Sequence, residues 1–169
     1  MFGCSISNPK ILFVVLLILS LSLPAVSRAQ ASSTNTPRIY AQKLVEETLA
    51  AHPELATLEI AATPPGKNRC VTIASNEAKG IGERCDKDEF TAMKTNKPFV
   101  ESEKENDKRV YDVTIPMHDA SGKIIATAGL EFRPEPNQSD VQVSERSQQI
   151  AKEMESKVTT KGKLFETVS

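Results

Sequence analysis

A chain of 169 residues with net charge −1, 5% aromatic residues and no tryptophan argues against several functions at once. It has no basic footprint for nucleic acid and no aromatic platform on which sugars or bases would stack. Its core must be built mainly from Ile, Leu, Val and Ala.

Lys10 is the only charge before an apolar run from Ile11 to Val26, and Ser27-Arg28-Ala29 follows as a small-x-small cleavage signal, with Ala29-Gln30-Ala31 as a second option. The pattern predicts a signal peptide over residues 1–29 and a periplasmic or secreted protein, an uncleaved membrane anchor being the alternative. Cys4 precedes the run, so no lipid-attachment cysteine follows it, and no second apolar run exists downstream. Without Lys10 and Arg28, the 21 basic residues fall to 19, against 22 acidic ones. The remainder is one domain's worth of chain: a disordered polar leader over 30–36, a single domain over 37–160 and a tail over 161–169. Leu164 and Phe165 are expected to make that tail an exposed apolar end.

Thr36 and Pro37 offer an N-cap and a first-turn proline for a helix whose stripe is Ala41, Leu44, Val45, Thr48 and Leu49. Pro53 ends it. Residues 55–63 alternate, with Leu58, Ile60 and Ala62 on one face, and predict a first strand. Pro64-Pro65-Gly66-Lys67-Asn68 is a turn, and residues 69–75 form a second strand. A loop with Gly80 and Gly82 leads to Asp86, which can cap a short helix over 87–94 that turns Phe90 and Met93 inward.

Residues 99–103 and 109–115 predict the third and fourth strands, joined by a charged turn. Pro116 cannot donate to a ladder and marks the end of the fourth. Asp119-Ala120-Ser121-Gly122 has turn chemistry, and the apolar run 124–132 is the fifth strand. A Pro-containing linker over 133–139 leads to a last helix with Val143, Ile150, Met154 and Val158 on one stripe. The order predicts an α+β fold: a five-stranded antiparallel sheet, N- and C-terminal helices on one face and a covering loop on the other.

Cys70 and Cys85 remain after export. An oxidising compartment and an even count favour a disulfide between them, two separate thiols being the alternative. No His or third Cys lies nearby, so no metal site is expected. Catalysis finds little support. His52 sits at a helix end, where a cation complements the dipole. His118 adjoins Asp119, but neighbouring residues point apart and Asp119 is the first residue of a turn. The Gly80-Ile81-Gly82 segment lacks the rest of a phosphate-binding loop, and no cofactor is expected.

Three ordered patterns resemble the Cache family, the extracytoplasmic PAS-like sensor domains. They are a strand ending Val71-Thr72-Ile73-Ala74-Ser75-Asn76; the segment Gly80-Ile81-Gly82-Glu83-Arg84-Cys85-Asp86; and the last hairpin, with Pro116, the Asp-x-x-Gly turn and Gly129. The resemblance is to the single-Cache form, because only one sheet's worth of strands is present. It implies a small-molecule pocket between sheet and loop. On that plan Ser75 and Asn76 supply hydrogen-bonding groups, Arg84 a fork for a carboxylate and Tyr111 an aromatic wall. The chain stops at Ser169, so it resembles a stand-alone exported domain, and signalling output would pass to a membrane partner. The terminal helices could instead mediate a homodimer. The expected function is non-enzymatic binding of a small molecule; a structural or interaction module on the same fold, without a pocket, is the alternative.

Overall fold

The computed structural model describes residues 38–105 and 108–168. The expected signal peptide and leader, with the capping pair Thr36 and Pro37, lie outside the described residues. All described residues fall in one compact unit, Asn35–Ser169.

Strands β2 (Leu55–Ala62), β3 (Val71–Ser75), β4 (Phe99–Glu105), β5 (Lys108–His118) and β6 (Ile124–Phe132) form one antiparallel sheet of order β3-β2-β6-β5-β4. The first and last of these strands in sequence are thus neighbours at the centre. The five-stranded antiparallel sheet of an α+β fold, predicted from the alternation, is present. The β5–β6 turn forms because Asp119 Oδ1 accepts the N–H groups of Ser121 and Lys123, at 2.9 and 3.1 Å. Gly122 then takes a positive φ of 81°, which a side chain would resist.

Pro116 does not end its strand, contrary to expectation: β5 runs on to His118 and Pro116 pairs with Thr127. The reason is local. β4 begins at Phe99, opposite Thr114, so β5 at Pro116 has a partner on one side only. A residue without an N–H is tolerated there.

Helices α1 (Tyr40–Ala51) and α3 (Asp140–Glu155) cover one face. Their buried stripes are Ala41, Leu44, Val45 and Thr48, and Val143, Ser147, Ile150, Ala151 and Met154. These meet Leu58, Ile60, Val113, Ile115, Met117, Leu130 and Phe132 in one core. Each such leucine or isoleucine contributes about 1.5–3 kcal/mol by leaving water. A Ser139–Gln142 capping box starts α3. Among the described residues no side chain caps α1; the Tyr40 amide donates to Glu166 O at 2.8 Å.

That bond belongs to a clasp between the two ends of the domain. β1 (Arg38–Ile39) pairs with β7 (Thr167–Val168), after a 3-10 turn at Lys161–Phe165. The expectation of an exposed apolar tail is corrected here. Leu164 is wholly buried and Phe165 packs against the core, because burial of their apolar surface outweighs the cost of ordering this short segment.

Candidate functional site

Alternation places a second set of residues on the face away from α1 and α3. β2 offers Thr57, Glu59 and Ala61; β5 offers Asp112 and Thr114; β6 offers Thr127, Gly129 and Glu131; β4 offers Phe99 and Glu101. The register lines them into rows across the sheet. Glu101, Asp112, Glu131 and Thr57 form one row, and Phe99, Thr114, Gly129 and Glu59 the next. This face therefore carries a block of carboxylates, each on a strand too regular to let it turn away.

Helix α2 (Lys87–Thr95) and the segment before it lie over this face. Asp86 caps α2 in a reciprocal box with Glu89, as the sequence predicts for Asp86. Glu59 lies between sheet and cover. A Cβ at Gly129 below would stand 3.0 Å from Glu59 Cγ, and one at Gly80 above 3.7 Å from its Oε2. Burial, then the carboxylates of Glu89, Asp112, Glu83 and Asp86, push Glu59 up to about 7. Desolvation on the crowded face, then Glu131, Asp88, Glu101 and Asp86, push Asp112 up to about 6. Water still reaches Asp112, so its shift carries less free energy than that of Glu59.

The covering segment is tied to β3 by backbone and by sulfur. The Thr72 amide donates to Glu83 O at 2.9 Å, Gly82 N to Thr72 O at 2.8 Å and Cys85 N to Cys70 O at 3.2 Å. Val71 bridges to Arg84. Cys70 and Cys85 form the disulfide, with Cα atoms 5.3 Å apart.

Outside this tie lies a groove of about 700 Å³. One wall comes from the β2–β3 connection, through Thr63, Asn68, Arg69 and Cys70. Arg84 and Cys85 form a second wall, and Phe90, Met93 and Lys94 of α2 a third. Phe90, predicted to point inward, is 54% exposed. The inward positions of α2 are taken by the buried Ala92, whose small side chain lets the helix sit close to the sheet.

The structure does not bring the four predicted ligand residues together. Arg84 lines the groove. Ser75 is buried, its backbone bonded both ways to the Gln42 amide at 3.1 and 3.2 Å, and its Oγ accepts from Glu77 N at 3.0 Å. Asn76 extends the ladder beyond the end of β3: Oδ1 accepts from Leu58 N at 2.9 Å and Nδ2 donates to Ala56 O at 3.1 Å. Tyr111 belongs to the other face, 1% exposed, and its hydroxyl donates to Gln138 O at 2.8 Å. The two histidines have structural partners. His52 bridges Glu54 and Glu153, and His118 bridges Glu155 and Asn96 at 2.7 Å each.

No family model matches the chain, and no curated protein matches it. Solved structures resemble it in outline. The Agobacterium tumefaciens repressor BlcR is 12% identical, with a TM-score of 0.48 over 73% of this chain and 68% of that one. An inducer-binding domain of the PobR transcription factor from Acinetobacter is 12% identical, with a TM-score of 0.45 over 71% and 95%. The type II free methionine-R-sulfoxide reductase of Thermoplasma acidophilum is 13% identical, with a TM-score of 0.43 over 75% and 93%. These are likenesses of overall fold and assign no ligand.

Among the described residues, no group of His, Cys, Asp and Glu could hold a metal ion, and no helix is long and apolar enough to cross a membrane. The features of the candidate site that sequence reasoning missed are Glu59 and Asp112 on the covered face and Arg69 and Lys94 in the groove. Parity could have found the first two. Glu59 alternates with Leu58 and Ile60, and Asp112 with Tyr111 and Val113, so both must leave the core face.

Proposed function

We propose that this chain is an exported, non-enzymatic sensor domain of Cache-like type that binds a small molecule and presents the bound state to a membrane signalling partner. The observation that carries the reading is the groove at the disulfide, lined by both Arg84 and the exposed Phe90. A concave site with an apolar wall and a few convergent polar groups is the usual form of a ligand site. The leader and the disulfide between Cys70 and Cys85 support export.

A second reading has its own support. Ile81 and Phe90, 47% and 54% exposed, stand on the covering segment and α2, as an interaction module would display them. Thermal-shift screening against carboxylates, amino acids, amines and purines separates the two. Stabilisation by one class supports the sensor reading. No stabilisation by any class, with no small molecule found in the purified protein by mass spectrometry, overturns it in favour of the module.

A further inference from the structure

We infer that the groove beside the disulfide takes an organic anion, a carboxylate on a compact apolar or aromatic body. The inference rests on the sensor reading and names its ligand class. Three cations line the groove, Arg69, Arg84 and Lys94, and no acidic residue does. That is a local reversal of sign in a chain of net charge −1, beside a sheet face on which Glu59, Glu101, Asp112 and Glu131 gather. None of the three forms an ion pair with a described residue, whereas Arg38, Arg109 and Arg146 each do. Cations held close together without counter-charge repel one another, and an anion relieves that repulsion.

The disulfide explains how two of them meet. Each half-cystine is preceded by an arginine, Arg69-Cys70 and Arg84-Cys85. Joining Cys70 to Cys85 brings the two arginines to one groove from positions 15 residues apart in the chain. The Val71–Arg84 bridge and the Cys85–Cys70 backbone bond fix the backbone from which Arg84 projects. A guanidinium so placed offers paired donors to a carboxylate. Phe90 and Met93 supply the apolar surface on which the rest of the ligand lies. The carboxylates under α2 disfavour the same anion on the covered face.

The test uses one ring with three head groups: benzoate, benzylamine and benzyl alcohol, titrated calorimetrically into the protein with its disulfide intact. Benzoate should bind, and the amine and the alcohol should not. Arg84→Gln and Arg69→Gln should each weaken benzoate about 10- to 100-fold. Both side chains are exposed, so the unliganded melting temperature should stay within a degree or so. Arg84→Lys should restore part of the affinity. Binding of benzylamine or benzyl alcohol as tight as benzoate, or benzoate binding indifferent to both arginines, overturns the anion assignment and leaves the sensor reading standing. Absence of benzoate binding overturns the anion assignment. If the wider screen is silent as well, the sensor reading falls with it.

Discussion

Glu59 of β2 lies across Gly129 of β6, so close that a Cβ on Gly129 would meet Glu59 Cγ at 3.0 Å and Oε1 at 3.2 Å. The glycine is therefore the floor on which the carboxylate rests. Gly129→Ala should destabilise the fold by about 1 kcal/mol, because Cγ is not a free end that can swing aside. In a Glu59→Ala background the same change should stabilise by about 0.5–1 kcal/mol, since alanine suits a strand better than glycine. A double-mutant cycle by urea denaturation reads the change of sign.

The acidic face makes stability depend on pH, and the direction follows from the shifts. Glu59 rises from 4.5 to about 7, so its protonated form favours the folded state. That contribution is fully present below 4.5 and is lost as pH climbs to about 7. Asp112 adds a smaller loss between 3.8 and about 6. Because water reaches part of this face, the Glu59 contribution is on the order of 1 kcal/mol rather than the full value of its shift. Glu59→Gln should match wild type near pH 4, exceed it by about that amount at about pH 8, and flatten the curve between. Denaturation midpoints across that range test it; an unchanged slope would refute it.

The strands, the Asp86 cap, the Asp119 turn and the stripes of α1 and α3 were legible, because each rests on residues within one turn or one alternation of each other. Parity along β5 held the correct placement of Tyr111, against the pocket wall that the Cache resemblance implied: it shares a face with Val113 and Ile115, and hence lies in the core. The carboxylate row was harder to see. Asp112 stands opposite Glu131 only once the register of β5 on β6 is known, and nothing local to either residue states that register. The ends of the domain were misjudged for the same reason. Leu164 looks like a loose end until β7 pairs with β1, more than a hundred residues away.

Replacing both half-cystines, Cys70→Ser with Cys85→Ser, should lower stability by about 3 kcal/mol, the value expected for a closed loop of this length. The backbone bonds from Thr72, Gly82 and Cys85 should hold the covering segment near its place at low denaturant. Hydrogen exchange should therefore quicken first at the Gly82 and Cys85 amides, ahead of β2 and β6. Uniform quickening across the sheet would show that the tie is global instead.

Thr127 presents a fault in the packing that a single substitution can correct. It is 1% exposed, on the face covered by α2, and its hydroxyl oxygen has no hydrogen-bond partner among the described residues. An isolated buried hydroxyl costs about 1–3 kcal/mol, and Thr127→Val removes it while keeping the β-branched shape that β6 needs. The variant should be more stable by about 1 kcal/mol, read as a higher urea midpoint with an unchanged slope. A loss of stability would mean that the hydroxyl is hydrogen-bonded in solution through water. In that case a buried water joins Thr127 to the underside of α2, and Thr127→Ser should then be milder than Thr127→Val.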